Sequence, residues 1–287
     1  MSTRATVVFR IYSVIALIYG LLSAFSPKTL WYGLLAPPKG SSADSDLDYI
    51  FDFHSTLVHK SAGIFTCVLA LFAHTARKFE PWEQAIVSKY LVLGSSTEAS
   101  IFCWQVLNPD YPELTTAYWR FAVLFGCLTL ALSWALLEEV PPRPKQTKIA
   151  VAAWEPLAIG QSVHFWIGFP FGVASVVWPR SLYLALKPFG IADSSTPFEL
   201  FGIQCFGCCI ISITNLARNI KMFSFKSQLA FAYIMLTAFI GTTMLYLAER
   251  QNLNILYTFG GIPPFATIAA CYGYGIMFQP PEKKKES

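Results

Sequence analysis

Long apolar runs, separated only by short clusters of charge, dominate the sequence. Each run is about 20 residues long, the length that an α-helix needs to cross the hydrocarbon core of a bilayer. Charged residues make up only 13% of the chain, against about 25% in ordinary soluble domains. Because one soluble domain could not shield so many apolar runs from water, we predict an all-α, polytopic membrane protein with the lipid bilayer as its solvent.

The runs predict eight transmembrane helices in two four-helix halves. The predicted spans are residues 8–26, 54–75, 85–107, 117–137, 157–178, 198–217, 228–248 and 255–278. A polar stretch rich in Glu, Pro, Arg and Lys separates the fourth run from the fifth. The predicted units are an N-terminal half, a cytosolic linker, a C-terminal half and a basic tail, at 1–140, 141–155, 156–279 and 280–287.

Short sequence matches suggest that the halves are repeats. Pro27–Tyr32 follows the first helix as Pro179–Leu184 follows the fifth, with Pro, a basic residue and Leu at matching places. Helix two ends in Ala76-Arg77-Lys78 and helix six in Ala217-Arg218-Asn219. Four helices per half imply parallel repeats, related by an axis along the membrane normal.

The distribution of Lys and Arg predicts the orientation. One side of the predicted membrane carries 14 of the 21 basic residues, which places that side and both termini in the cytosol. The final Lys284-Lys285-Glu286-Ser287 resembles a dilysine retrieval signal of the endoplasmic reticulum, although lysines also commonly follow a last helix. The net charge of +4 comes mostly from loops and termini and predicts no nucleic-acid partner.

Glu98 is the clearest candidate for chemistry. It lies near the middle of the third predicted helix, close to Ser95, Thr97 and Ser100. A carboxyl group at membrane depth is costly and needs a reason. It is either a carboxylic acid able to donate a proton or a group bonded between helices for packing.

A second polar cluster lies where helix two begins. Asp52 and His59 are seven residues apart and share a helix face, whereas His54 points elsewhere. The pair is either a proton relay or an interfacial His beside an N-capping Asp. Asp110 and Glu199 lie at the same predicted lumenal end, where a cap or a solvated loop would also explain them.

An apolar pocket walled by aromatic and polar side chains could hold an isoprenoid and stabilise a cation. Membrane packing and the interfacial aromatic belt explain the same residues without a ligand. The candidate substrate-binding residues are Tyr90, Phe102, Trp104, His54, Trp166, Gln204, Asn215, Tyr233 and Tyr246. The sequence has no GxGxxG, P-loop, HExxH, GxSxG or DDxxD motif, so we predict no cofactor and no metal.

Two resemblances give these features a context. The four-helix unit, with a proline break after its first helix and an Ala-Arg end on its second, resembles DoxX-type bundles, here doubled. The length, eight spans and lumenal acids are similar to fungal membrane-bound meroterpenoid (terpene) cyclases of the ascochlorin and ascofuranone type. The Asn-x-x-x-Glu pattern of the seven-span meroterpenoid cyclases is absent.

The second resemblance implies a terpene cyclase of secondary metabolism. Its partner would be a lipophilic prenylated substrate, an aromatic ring bearing a farnesyl chain with a terminal epoxide. Glu98 would protonate the epoxide, with Asp52 and His59 as the next candidates, and Asp110 or Glu199 would assist. A lipid- or isoprenoid-binding chaperone or small transporter, and a sterol-type isomerase, are the alternatives that the same residues allow.

Overall fold

The computed structural model describes residues 4–35, 50–51, 53–139, 156–185, 195–249 and 255–278. Within these ranges the regular structure is entirely helical. The helices are α1 (Arg4–Phe25), α2 (Pro27–Leu35), α3 (Phe53–Ala76), α4 (Pro81–Leu107), α5 (Thr115–Leu136), α6 (Pro156–Val177), α7 (Pro179–Ala185), α8 (Pro197–Ile220), α9 (Phe225–Ala248) and α10 (Ile255–Met277), with a 3₁₀ turn at Pro112–Leu114.

Each predicted apolar run is a helix of at least 22 residues, which confirms the all-helical prediction. Among the described residues, six helices are both long and apolar enough to cross a membrane: α1, α3, α5, α6, α8 and α9. Such a set is that of a multi-pass membrane protein. The linker 141–155 and the tail 280–287 lie outside the described residues.

Prolines mark where many of these helices begin. Pro27, Pro81, Pro156, Pro179 and Pro197 each occupy the first helical position, where the missing N–H costs nothing. At α4 the start is also fixed by a capping box between Glu80 and Glu83. The predicted start at residue 85 was too late because the charged residues of this first turn hide the helix from a hydropathy reading.

Helices pair in the same order in both halves. In the first half α1 packs along α3 and α4 along α5; in the second, α6 packs along α8 and α9 along α10. Between the halves α3 packs against α8, while α4 contacts α8 and α9 contacts α3. Helices α1–α5 are called the first bundle below and α6–α10 the second, and the two meet along α3 and α8.

Glycine pairs bring the first two long helices of each half together. A Cβ atom on Gly63 of α3 would lie 2.5 Å from the backbone nitrogen of Ala24 on α1. A Cβ atom on Gly207 of α8 would lie 2.9 Å from the carbonyl oxygen of Gly172 on α6. Small residues let helices approach closely where the surrounding solvent is lipid.

Glu83 joins the starts of α4 and α9. Its side chain is fully buried, and Oε1 accepts a hydrogen bond from the Ser224 backbone N–H at 2.6 Å. Oε2 accepts from Ser227 Oγ at 2.9 Å and from the Glu80 N–H at 3.3 Å. This buried carboxyl group has a donor for each oxygen, as structural polar groups do.

Counting residues from each helix start aligns α1 with α6, α3 with α8, α4 with α9 and α5 with α10. Pro27 and Pro179 then both begin a short helix, where the sequence match had predicted matching connections and no helix. The other match is shifted by three residues. Ala76 ends α3 as Ile220 ends α8, so Ala217 corresponds to Ala73.

Candidate functional site

Glu98 faces the interior of the first bundle, where its side chain is 6% exposed. The buried positions of α4 recur every three or four residues, including Leu91, Ser95, Glu98 and Phe102. That spacing keeps them on a single face of the helix. The sequence indicated the depth of Glu98, and the structure adds its direction.

Two small cavities border the Glu98 side chain, each of about 10 Å³, which is about the space that one water molecule needs. Both are also lined by Tyr12 of α1, Phe125 of α5 and Cys209 of α8. Tyr19 of α1 lines the first cavity. The site is thus built from several helices around one carboxyl group.

The nearby hydroxyl groups bond mainly to helix backbones. Ser95 Oγ donates to the Leu91 carbonyl at 2.9 Å, and Thr129 Oγ1 lies 2.9 Å from Ser95 Oγ. Thr66 Oγ1 donates to the Ala62 carbonyl at 2.9 Å. Within the described part of the chain no residue donates a hydrogen bond to the Glu98 carboxyl group, in contrast to Glu83.

Tyr12 and Tyr19 are the site residues that sequence reasoning missed. They are seven residues apart on α1, and both line the same cavity as the Glu98 side chain. Two tyrosines at this spacing in an apolar run were a usable signal, because they share a helix face. Thr66 and Cys209 carried no such signal, since only the packing of α3 and α8 brings them to Glu98.

His59 lies in a different place, inside an aromatic cluster. Its ring stacks on Phe198 with centroids 4.5 Å apart and meets Trp31 edge-on at 5.9 Å. Its Nδ1 is 2.8 Å from the Ser55 carbonyl oxygen, and the side chain is 3% exposed. A Cβ on Gly202 would lie only 2.8 Å from His59 Cε1, so this ring is tightly packed.

A layer of aromatic rings separates His59 from Glu98. Phe102 stacks on Phe125 at 5.6 Å, and Phe125 borders the Glu98 cavities. On its other side Phe102 approaches Trp31 at 6.4 Å, which in turn contacts His59. Among the described residues the structure does not bring these two candidate catalytic residues together.

The other predicted acids lie at helix ends. Asp110 is exposed, and its Oδ2 accepts a hydrogen bond from Gln105 Nε2 at 2.9 Å. Glu199 is 1% exposed in the first turn of α8, and its backbone N–H donates to Thr196 Oγ1 at 3.1 Å. Asp52 lies outside the described residues, as does the side chain of His54.

Four predicted binding residues make hydrogen bonds within the helical structure, three of them to another helix. Asn219 Nδ2 donates to the Tyr90 hydroxyl at 2.8 Å, and Ser61 Oγ lies 3.4 Å from the Tyr246 hydroxyl. Gln204 Nε2 donates to the Val176 carbonyl at 3.1 Å. Asn215 Nδ2 donates to the Ile211 carbonyl at 2.8 Å. The first three contacts join different helices and the last lies within α8, so the four residues do not line a shared pocket.

Among the predicted aromatic binding residues whose side chains the structure describes, only one lies beside the Glu98 site. Phe102 is fully buried against Phe125. Trp104, Trp166 and Tyr233 face outward, with exposed fractions of 64%, 73% and 52%. Outward aromatic residues on apolar helices suit contact with lipid.

No protein family, curated protein or solved structure matches the chain.

Proposed function

We propose that the chain crosses the membrane eight times as two related, parallel halves. The reciprocal helix packing supports this, because α4 meets α8 as α9 meets α3. Residues that correspond by helix position also touch each other: Phe79 and Phe223, with centroids 6.2 Å apart, and Glu83 and Ser227. Contacts between corresponding residues are expected along a pseudo-two-fold axis.

We further propose that both termini face the cytosol of an endoplasmic reticulum membrane. The imbalance of 14 to 7 in basic residues supports that orientation. Glycosylation sites appended to either terminus should stay unmodified in microsomes, while a site placed among residues 36–49 should be modified. Glycosylated termini would overturn the orientation.

We propose that the chain is an acid-initiated terpene cyclase acting on a lipophilic prenylated epoxide. The observation that supports this most is the buried Glu98 carboxyl group, which receives no hydrogen bond from the described residues and borders two cavities with Tyr12 and Phe125. An unpaired carboxyl group in an apolar interior favours its neutral, proton-bearing form. A structural role would instead be expected to give partners like those of Glu83.

In this mechanism Glu98 transfers its proton to the epoxide oxygen while the adjacent C–O bond breaks. The tertiary cation is attacked by an internal alkene, which forms a C–C bond and moves the positive charge along the chain. The faces of Phe125 and Tyr19 stabilise the passing cation. Loss of a proton to the Glu98 carboxylate ends the sequence, so the product is an isomer of the substrate and the acid is restored.

Substrate entry requires α1 and α5 to separate. Ligand sites for molecules of this size span about 300–1,000 Å³, far above the about 10 Å³ beside Glu98. Tyr19 closes the space between the two helices, since it meets Phe121 and Phe125 edge-on with centroids 5.5 Å apart in both pairs. A lipid-dissolved chain would therefore enter laterally, past Tyr19.

The test is an assay of membranes containing the expressed chain with an epoxyfarnesyl phenol, followed by separation of isomeric products. Glu98→Gln should lower the rate by about 10²-fold or more, because it removes the proton donor. The matched control is Glu113→Gln, an exposed carboxyl, which should retain full activity. Both proteins are checked for equal amount and a monodisperse elution profile.

Each result of this assay separates the proposal from its alternatives. Cyclised product from the wild type but not from Glu98→Gln supports it, and an undiminished rate in Glu98→Gln overturns the role of Glu98. Substrate that is bound but recovered unchanged indicates a lipid-binding chaperone or transporter. A shifted double bond in a sterol offered in parallel, without cyclisation of the epoxide, indicates an isomerase.

A further inference from the structure

A second cavity lies in the C-terminal bundle, at the place that corresponds to the Glu98 site. Its volume is about 90 Å³, and its walls come from α6, α8, α9 and α10. They are almost wholly apolar, including Ile167, Phe171, Phe265 and Ile268. One polar side chain borders it: that of His164, which is fully buried.

Most residues that line the first cavity correspond in helix position to residues that line the second. Counted from the helix starts, five pairs are compared here, whereas Leu69 and Cys209 of the first cavity have no partner in the lining of the second. The pairs are Tyr12 with His164, Tyr19 with Phe171, Thr66 with Ile210, Phe125 with Phe265 and Leu128 with Ile268. The position of Glu98 is taken by Thr242, whose hydroxyl group donates to the Ala238 carbonyl at 2.9 Å.

The hydrogen bond with Tyr272 determines which ring nitrogen of His164 carries the proton. The Tyr272 hydroxyl group lies 2.9 Å from His164 Nδ1, and no other partner for it occurs among the described residues. A buried phenol needs an acceptor for its proton, so Nδ1 accepts and the neutral ring carries its own proton on Nε2. The His164 side chain that borders the cavity therefore carries a hydrogen-bond donor, Nε2–H.

His164 Nε2 has no hydrogen-bond partner among the described residues. The adjacent ring carbon Cδ2 faces Gly168, where a Cβ would be 3.4 Å away, and Gly168 lines the cavity. A buried hydrogen-bond donor that has no acceptor costs about 1–3 kcal/mol. One turn earlier on the same face of α6, both amide atoms of the buried Gln161 side chain also lack described partners.

Prolines distinguish the helices around this cavity. Pro170 lies inside α6, and Pro263 and Pro264 lie inside α10. Each lacks the backbone N–H that a helix interior normally uses for hydrogen bonding, and Pro264 lines the cavity. The corresponding residues of α1 and α5 are Ile18, Val123 and Leu124. Ile167, at the cavity wall, is 38% exposed on the outer surface, so the cavity lies close to the lipid.

We propose that this cavity binds the oxygen-bearing end of an isoprenoid or alkyl chain, with His164 Nε2–H donating to the oxygen. Its volume is below that of the engineered 150 Å³ cavity that takes up benzene, so it admits the tip of a chain and not a ring. The rest of the chain lies between α6 and α10 toward the bilayer. The site goes beyond the proposed cyclase activity and does not involve Glu98.

The experiment measures binding of farnesol, dodecanol and the hydrocarbon farnesane to the full chain by native mass spectrometry. Farnesol or dodecanol should bind one per chain and more tightly than farnesane, and the two alcohols separate isoprenoid from alkyl preference. Ile268→Phe, which fills the cavity, should weaken binding of the alcohols about tenfold or more. Ile240→Phe, on the outer face of α9, is the control and should bind as the wild type does.

His164→Leu keeps the bulk of the side chain and removes the donor. It should lower alcohol affinity about three- to tenfold and leave farnesane affinity unchanged. Equal alcohol affinity in the wild type, Ile268→Phe and His164→Leu would overturn the proposal, as would no binding of either alcohol. Glu98→Gln should bind the alcohols as the wild type does. The binding result therefore does not depend on whether the cyclase proposal is correct.

Discussion

The two bundles share a scaffold and differ in what their centres hold. The first centre holds Glu98 and two tyrosines around cavities of about 10 Å³. The second holds His164 and apolar side chains around a cavity of about 90 Å³, with Thr242 in place of the acid. Corresponding positions are thus buried in both bundles while their side-chain chemistry differs, so helix packing and site chemistry are separable properties of this fold.

A parallel difference separates the two buried carboxyl groups of α4. Glu83 receives hydrogen bonds from Ser224, Ser227 and Glu80, and it holds the ends of two helices together. Glu98 receives no hydrogen bond from the described residues and borders two cavities. Burial alone therefore does not identify a chemical role, whereas burial without partners points to one.

The largest expected effect comes from removing the partnered carboxyl group. Glu83→Ala should lower the free energy of unfolding by about 3 kcal/mol or more, because it removes charge-assisted bonds and leaves buried donors unsatisfied. The measurement is the melting temperature of the detergent-solubilised chain, followed by size-exclusion chromatography. An unchanged melting temperature would contradict the structural role given to Glu83 and weaken its contrast with Glu98.

An intermediate effect should appear at the glycine pairs, equally in both halves. Gly63→Ala and Gly207→Ala should each destabilise the chain by about 1–3 kcal/mol, since the added Cβ meets the neighbouring helix. Gly126→Ala and Gly241→Ala are matched controls, because a Cβ there meets nothing within 4 Å. A large loss in only one half would break the correspondence between the bundles.

The smallest effect has the opposite sign. Glu98→Met should raise the free energy of unfolding by about 1 kcal/mol, because an apolar side chain of similar length removes an unpaired polar group from the core. The same variant should be inactive as a cyclase. A melting temperature below that of the wild type would indicate that Glu98 has a stabilising partner, and would remove the reason to treat it as an acid held for chemistry.

The sequence predicted the helices more completely than it predicted the composition of the site. The length of the apolar runs predicted every long helix, whereas the short helices that begin at Pro27 and Pro179 were not predicted. The start of α4 was missed because its first turn is charged. The match at Ala217 was misaligned by three residues, because a short Ala-Arg pattern does not fix a helical register.

The composition of the site depended on contacts that a sequence does not display. Glu98 was identifiable because placing a carboxyl group at membrane depth costs free energy. Its grouping with His59 rested on a shared end of the bundle, whereas Phe102 and Phe125 stack between them. The pairing of Tyr12 with His164 emerges only once α1 and α6 are aligned in space, because the two residue types share no chemistry that a sequence match would register.

The polarity of α4 has a consequence for biogenesis. Among the long helices with fully described side chains, α4 is the one that does not reach the apolar composition of a membrane-crossing helix, and it carries Glu83, Lys89 and Glu98. It packs along most of the apolar α5. We therefore expect the translocon to admit α4 only together with α5, as a helical hairpin, so that the residue proposed for catalysis makes its own helix dependent on a neighbour for entry into the membrane.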